Sequence, residues 1–194
     1  MSFSLTRLSS GTVLRHLFRV PGTSLSLPVY FLSGTSPGAT LLVHAALHGS
    51  EVVGVEVIHR LLETLAPRDI SGRVILVPVV NIPAFEEGRR CFSQTNQDLN
   101  RVFPGRSNGT LTERIAHLYF HKLVRCSDAI VDLHSTESPV LMLPHVRQRV
   151  LQPTQAHRDL MRATGLSALW IGPGVLGMLQ VQAAGIGKPC VTVE

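Results

Sequence analysis

Hydrophobic positions in the first 80 residues follow two spacings, one typical of strands and one typical of helices. Residues 11–33 alternate apolar and polar side chains around a Pro-Gly turn, which predicts a β-hairpin. Residues 39–46 form a nearly continuous apolar run, as in a strand buried on both faces. Residues 51–65 follow a helical spacing, and residues 73–80 are apolar again. Strand, helix and strand within about 40 residues predict a βαβ unit with parallel strands.

A long polar stretch interrupts this pattern before it resumes. Residues 81–108 are rich in polar and turn-forming residues, and a loop of this length is frequently functional. The later apolar spacing predicts helices at 111–124, 147–164 (interrupted near Pro153) and 175–184, and strands at 129–133, 168–171 and 189–193. We therefore predict an α/β fold with a mixed, largely parallel sheet and helices on both faces.

Polar side chains that could bind a ligand or take part in catalysis follow the predicted strands. His48 and Glu51 come after the first parallel strand, His134 ends the third, and Glu194 ends the last. In open α/β sheets, ligands bind beyond the carboxyl ends of the strands. We therefore expect these side chains to converge at one rim of the sheet.

The spacing of His48 and Glu51 favours a metal site. If the helix begins here, residues i and i+3 lie on one side of its first turn and can bind one ion. Two histidines and one glutamate are a standard ligand set for catalytic zinc, and His134 is the candidate for the third ligand. In a purely structural interpretation, Glu51 is a favourable charge at a helix N-terminus and His48 is a turn residue. The shared location of the three residues favours one zinc ion per chain.

The segment DLNRVFPG lies inside the long polar stretch. Its Arg101 offers a planar pair of donors for a substrate carboxylate, and Asn100 adds another donor. Asp98 could orient a metal-bound histidine through a hydrogen bond. Arg89 and Arg90, just upstream, are further candidates for binding an anion or a developing oxyanion. The same residue types are also common in ordinary loops, so the segment gains meaning only beside the metal ligands.

Five motifs in order resemble one enzyme family. They are HGSE, VVNIPAFEEGRR, DLNRVFPG, DLHS and GKPCVTVE, and together they run from about residue 40 to residue 194. They resemble the succinylglutamate desuccinylase/aspartoacylase family, a branch of the zinc carboxypeptidase-like hydrolases. The resemblance implies zinc ligands at His48, Glu51 and His134, substrate binding by Asn100, Arg101 and Arg90, and a general base at Glu194.

The resemblance implies hydrolysis of a linear amide in an N-acyl amino acid, such as a succinylglutamate-like or N-acetylaspartate-like molecule. A metallocarboxypeptidase could use the same zinc and arginine, and a module that binds metal or carboxylate without catalysis is a third alternative. The family continues past the position of Glu194 into a C-terminal β-domain. Residues 1–194 are therefore expected to be one zinc-hydrolase catalytic domain, truncated at its C-terminus.

Charge, hydropathy and cysteine content indicate which partners and which cellular compartment to expect. The net charge is +5, but the basic residues are spread along the chain without interleaved aromatics, so we predict no nucleic-acid partner. No apolar run approaches the roughly 20 residues of a membrane helix, so no membrane partner is predicted. Three scattered cysteines favour the reducing cytoplasm. The serine- and arginine-containing N-terminus also resembles a transit peptide, but its alternation favours strands. A homo-oligomer is left open.

Residues 172–177 read GPGVLG, a literal GxGxxG motif after an apolar run. In a dinucleotide-binding fold this motif opens a complete βαβ unit, with much of the sheet still to follow. Only 17 residues follow Gly177 in this sequence. We therefore interpret the motif as a Gly/Pro turn after a strand.

Overall fold

A computed structural model describes residues 8–136 and 140–194. Its strands are β1 (Thr12–Arg19), β2 (Ser26–Ser33), β3 (Ser36–Ala45), β4 (Ser71–Val77), β5 (Ala129–Leu133), β6 (Val146–Gln148), β7 (Leu169–Ile171) and β8 (Cys190–Val193). Its α-helices are α1 (Val53–Thr64), α2 (Ile82–Glu86), α3 (Leu111–Lys122), α4 (Gln155–Ala163) and α5 (Leu179–Gly185). None of these helices is long and apolar enough to cross a bilayer.

The described strands form one sheet in the order β1-β2-β4-β3-β5-β8-β6-β7. β3 pairs in parallel with β4 and β5, β5 with β8, and β6 with β7. The pairs β1/β2, β2/β4 and β6/β8 are antiparallel. The mixed, largely parallel sheet is therefore confirmed, together with the N-terminal hairpin and the β3-α1-β4 unit.

Helices cover both faces of the sheet, as predicted. On one face, α3 and α5 pack against side chains such as Phe31 of β2 and Ile75 of β4. On the other face, α1 packs Val55 and Ile58 against β3 and β4. α4 joins α1 on that face, because Val131 of β5 packs in both apolar clusters. Each large apolar side chain that is fully buried in these layers stabilises the fold by about 1.5–3 kcal/mol.

The N-terminus of α3 is specified locally. Thr110 accepts a hydrogen bond from the Glu113 N–H at 3.3 Å, and the Glu113 carboxylate accepts from the Thr110 N–H at 2.9 Å. This capping box satisfies two backbone donors that would otherwise lack helical partners. It fixes the point at which the long polar stretch ends. That stretch holds α2 and a 3₁₀ turn, Leu99–Arg101, rather than being wholly irregular.

The helix predicted at residues 147–164, with an interruption near Pro153, is wrong for the eight residues before Gln155. Residues 146–148 form β6, which pairs with both β7 and β8, and the helix begins only at Gln155. Val146 and Gln148 are buried whereas Arg147 is half exposed, so the segment follows the alternation of a strand. Pairing with two neighbouring strands outweighs the local helical pattern.

Candidate metal centre and substrate cavity

The carboxyl ends of three neighbouring strands lie along one edge of the sheet. His48 follows β3, His134 follows β5 and Glu194 follows β8, and the three strands pair in parallel in that order. All three side chains, and Glu51, line one cavity of about 370 Å³. The expected convergence at the rim is therefore present in the fold.

His48 and Glu51 lie in a turn that precedes α1. The Glu51 N–H donates to the His48 carbonyl at 3.1 Å, and α1 begins two residues later, at Val53. The two side chains are adjacent as predicted, but the prediction that they share the first helical turn was wrong. Val52 takes the N-cap position of α1 without a side-chain cap, which leaves Glu51 available to the cavity.

Gly49 allows this turn to pack directly on α2. A Cβ atom at Gly49 would lie 2.1 Å from the backbone carbonyl carbon of Ala84, closer than any side chain can approach. The Gly49 N–H also donates to the Arg90 carbonyl at 3.4 Å. The close approach therefore connects the metal-ligand turn to the segment that carries Arg90.

His48, Glu51 and His134 present their donor atoms to one another. Nδ1 of His48 lies 2.8 Å from Oε1 of Glu51, and Nδ1 of His134 lies 2.6 Å from Oε2. All candidate ligand atoms of this cluster lie within 4.8 Å of one another, and the three residues are buried. Two imidazole nitrogens and a carboxylate match the ligand chemistry of a catalytic divalent metal site, so the residues fit such an ion.

Each histidine also hydrogen-bonds a second carboxylate through its Nε2 atom. Nε2 of His48 hydrogen-bonds Asp98 at 3.1 Å, and Nε2 of His134 hydrogen-bonds Asp132 at 2.9 Å. Such outer hydrogen bonds fix the ring orientation and tautomer of metal-binding histidines. Asp98 lies where the sequence analysis expected it, whereas the role of Asp132 was missed. The sequence did indicate this role, because Asp132 and His134 are two residues apart at a strand end and such residues lie on the same face.

The hydrogen bonds of this cluster also shift its pKa values. Burial alone raises the pKa of Glu51, but hydrogen bonds from His134 and His48 outweigh burial and lower the pKa to about 2. Burial lowers the pKa of His134, yet Asp132 and Glu51 together raise it to about 10. Glu51 is therefore anionic at neutral pH. A metal ion would take the place of the protons shared between Glu51 and the two imidazoles.

The adjacent residues Arg89 and Arg90 have different surroundings. The Arg90 guanidinium lies 3.3 Å from Glu51 and 3.1 Å from Asp98, and it lines the cavity. Arg89 is exposed and is not among the described residues around that cavity. Arg90 is therefore the arginine of this pair that can reach a ligand in the cavity.

Asn100 and Arg101 line the same cavity from the 3₁₀ turn. Asp98 caps this turn by accepting from the Asn100 N–H at 2.8 Å. The Asn100 side-chain oxygen accepts from the Leu179 N–H at 2.8 Å, so its NH₂ group is the end available to a ligand. The Arg101 backbone packs on Gly177, where a Cβ atom would lie 2.0 Å from the Arg101 carbonyl oxygen. The first residue of α5 and the glycine shortly before it thereby position both candidate substrate-binding residues.

Glu194 is held by an arginine that the sequence analysis did not assign. Arg147 of β6 lies 2.8 Å from Oε1 of Glu194, and both side chains line the cavity. Arg149 and Gln180 line it as well. The missed signal was the run VRQRV, whose alternation predicts that Arg147 and Arg149 project to one side of a strand.

A mixed sheet with a His-Glu-His cluster at the carboxyl ends of its central strands places the chain in the class of metallopeptidase-like α/β folds. The model of the succinylglutamate desuccinylase/aspartoacylase catalytic domain matches residues 37–194, and the chain belongs to this family.

Relatives of known name share this catalytic portion. The N-alpha-acetyl-L-2,4-diaminobutyric acid deacetylase of Halomonas elongata is 37% identical over 121 residues, which are 62% of this chain and 35% of that protein. The succinylglutamate desuccinylase of Pseudomonas aeruginosa is 27% identical over 71% of this chain and 42% of its own length.

Solved structures resemble the chain over most of its length. The product-bound ectoine utilization protein EutE (DoeB) of Ruegeria pomeroyi superimposes with a TM-score of 0.84 and 29% identity, over 97% of this chain and 61% of that one. A succinylglutamate desuccinylase of Silicibacter has a TM-score of 0.78 and 30% identity, over 88% of this chain and 53% of that one. The chain therefore spans about a third to three fifths of the length of these relatives.

Proposed function

We propose that the protein is a zinc-dependent amide hydrolase that removes the acyl group from an N-acyl amino acid, and that residues 1–194 carry its catalytic site. The observation that supports this most strongly is the cluster of His48, Glu51 and His134, whose ligand atoms lie within 4.8 Å of one another on the wall of an arginine-lined cavity. The names of the Halomonas and Pseudomonas relatives both describe removal of an acyl group from an amino acid.

His48, Glu51 and His134 would hold the zinc ion. Bound there, zinc would lower the pKa of a water molecule to about 7 and polarise the scissile carbonyl group. Asp98 and Asp132 keep the two imidazole rings turned towards the ion through their hydrogen bonds to Nε2.

The polar residues beside the His48-Glu51-His134 cluster orient the substrate. The Arg101 guanidinium binds the carboxylate of the amino-acid half through paired hydrogen bonds, and the Asn100 NH₂ group adds a third donor. Arg90 stabilises the negative charge that develops on the amide oxygen. The position of Arg90 beside Glu51, at 3.3 Å, supports this assignment.

Glu194 acts as the general base in this scheme. It removes a proton from the attacking water and delivers it to the departing amine, a role that contributes roughly 10²–10⁴-fold to the rate. Arg147 holds Oε1 of Glu194 at 2.8 Å, which leaves Oε2 for the water.

The test compares two double-histidine variants. The variant His48→Ala/His134→Ala is expected to lose nearly all zinc in elemental analysis, because two of three ligands are gone. The control His117→Ala/His121→Ala removes two histidines of α3 whose rings contact each other outside the cavity, and it should keep about one zinc per chain. Equal zinc content in both variants would contradict the proposed metal centre.

A substrate panel then separates the alternative activities. Hydrolysis of N-acyl amino acids without hydrolysis of dipeptides supports a deacylase. Preferential release of C-terminal residues from dipeptides indicates a metallocarboxypeptidase. Binding of these compounds without turnover by a zinc-loaded protein indicates a non-catalytic binding module.

A further inference from the structure

The cavity contains an arginine that the proposed mechanism does not use. Arg147 is paired with Glu194, and Arg90 and Arg101 both lie near Asp98, at 3.1 and 3.8 Å. Across residues 8–136 and 140–194, no carboxylate lies within ion-pair distance of Arg149. Its guanidinium instead donates to the Pro173 carbonyl at 3.4 Å and lies over the Trp170 ring, 4.5 Å from the ring centroid.

A glycine-rich turn holds Arg149 in this position. A Cβ atom at Gly172 would lie 2.0 Å from the Trp170 ring, so only glycine leaves room for the indole at this place. A Cβ atom at Gly174 would lie 2.6 Å from the Arg149 carbonyl oxygen. The GPG segment therefore packs against both Trp170 and Arg149. The Gln180 side chain completes the support by accepting from the Arg149 N–H at 2.6 Å.

The surroundings of Arg149 are positively charged. Burial lowers the pKa of Arg149, the nearby charges of Arg147 and Arg101 lower it further, and Glu194 opposes them. An arginine keeps its charge in such surroundings. Arg101, Arg147 and Arg149 thus line the same cavity, where Glu194 pairs with Arg147 and Asp98 lies 3.8 Å from Arg101. An anionic ligand group would relieve the repulsion between them.

We infer that Arg149, stacked on Trp170, is a specificity-determining residue that binds a second anionic group of the substrate. This group is distinct from the carboxylate assigned to Arg101 and Asn100. The inference rests on the proposed function, and it narrows the substrates to N-acyl amino acids with two anionic groups. The second group can belong to the acyl chain or to the amino-acid side chain. A cationic side chain, such as that of the diaminobutyric acid named for the Halomonas relative, is disfavoured by the same charges.

The first experiment measures hydrolysis by the zinc-loaded wild type, Arg149→Met and Arg158→Met. Methionine keeps the unbranched apolar stem of the side chain without the charged guanidinium group, and Arg158 is an exposed residue of α4 away from the cavity. The substrates are N-succinylalanine, N-acetylglutamate and N-acetylalanine. Arg149→Met is expected to lower the ratio of kcat/KM for one dianionic substrate to that for N-acetylalanine by about 10–100-fold. Arg158→Met should leave this ratio within twofold of the wild type.

The dianionic substrate whose kcat/KM falls relative to N-acetylalanine identifies which half of the substrate, acyl chain or amino acid, carries the second anionic group. A fall with N-succinylalanine assigns it to the acyl chain, and a fall with N-acetylglutamate assigns it to the amino acid. An equal loss on all three substrates overturns the inference, because Arg149 would then support the carboxylate shared by all of them. An unchanged ratio in Arg149→Met also overturns it.

A binding measurement keeps the inference testable if no substrate is hydrolysed. Calorimetry compares glutarate with butyrate, which differ by one carboxylate. The wild type is expected to bind glutarate more tightly, and Arg149→Met should weaken glutarate binding by about 10–100-fold while butyrate binding changes less. Equal affinities of the wild type for the two compounds overturn the inference. If none of the three substrates is hydrolysed but the wild type binds glutarate selectively, the proposed function is rejected while the role of Arg149 stands.

Discussion

At the level of single residues, Glu51 joins the two halves of the candidate metal centre. Its carboxylate accepts hydrogen bonds from His48 and His134, from Arg90 at 3.3 Å and from the Ser135 N–H at 3.4 Å. Of these partners, His134 and Ser135 lie more than 80 positions from Glu51 in the sequence. One side chain therefore connects the turn after β3 to the end of β5.

Asp98 offers a direct test of how the histidines are supported. Asp98→Asn keeps the shape of the side chain but removes the charge that holds Nε2 of His48 and neighbours Arg90. We expect zinc affinity to fall by about 10–100-fold, as is typical when the outer partner of a metal ligand is changed. Competition with a chromophoric chelator measures this change.

The control for this prediction is Asp159→Asn on α4, where the carboxylate is exposed and contacts Arg162. It removes the same charge outside the cavity and should leave zinc affinity within twofold. Equal zinc affinities in Asp98→Asn and the wild type would show that the Asp98 hydrogen bond does not support His48.

Residues inside contiguous motifs could be assigned from the sequence, and residues brought in by tertiary pairing could not. His48, Glu51, His134, Asn100 and Arg101 were each marked by spacing or by a motif, and all line the cavity. Arg147 and Arg149, which were missed, lie in β6 and directly after it. Their positions depend on which strands pair, and local spacing does not encode this pairing.

At the level of elements, the turn between β3 and α1 depends on its contact with α2. Gly49→Ala would place a methyl group against the Ala84 and Phe85 backbone, where the nearest atom is 2.1 Å away. Because neither backbone can yield without moving the metal-ligand turn, we expect a loss of about 1–3 kcal/mol or more in the free energy of unfolding. Urea denaturation followed by circular dichroism measures it.

Gly185→Ala is the matched control for this prediction. Gly185 ends α5, and a Cβ atom there would meet no atom within 4 Å. Alanine has the higher helix propensity, so this variant should be unchanged or more stable by about 0.5–1 kcal/mol. If Gly49→Ala were as stable as Gly185→Ala, the close packing of the turn on α2 would be wrong.

The long apolar strands were predictable because each is buried on both faces and reads as a continuous run. β3, β4 and β5 lie in the interior of the sheet, and their predicted bounds differ from the observed ones by only a few residues. β6 has three residues, two of them polar, and its neighbours are supplied by distant segments. A strand this short gives no periodicity that can be distinguished from the start of a helix.

At the level of the whole molecule, a buried histidine links stability to pH. His44 of β3 is fully buried, 3.6 Å from Asp132 of β5 and in ring contact with Tyr119 of α3. Burial lowers the pKa of His44 to about 4; Asp132 opposes this shift and the charge of His134 adds to it. The folded protein therefore keeps this imidazole neutral at pH values where an unfolded chain protonates it.

The sign of the resulting pH dependence follows from that difference. An unfolded histidine has a pKa near 6.5, so between about pH 6.5 and pH 4 the unfolded state binds a proton that the folded state does not. Stability attributable to His44 is intact above this window and falls as the pH drops through it, by at most ~3 kcal/mol. His44→Leu should therefore lose less stability than the wild type between pH 6.5 and pH 4.

Urea denaturation at a series of pH values measures this effect. The exposed histidine of α1 provides the control, because His59→Leu removes the same side chain without removing a buried imidazole. This control should follow the wild-type pH dependence. Parallel curves for His44→Leu and the wild type would contradict the assignment.

The two hydrogen bonds of Glu51 also link the ends of β3 and β5 directly. Nδ1 of His48 and Nδ1 of His134 lie 2.8 and 2.6 Å from the two oxygens of this one carboxylate, so a displacement of either segment disturbs the contact made by the other. In the proposed metal centre, binding of an ion would release the protons at these contacts, so the metal affinity is expected to fall as the pH drops.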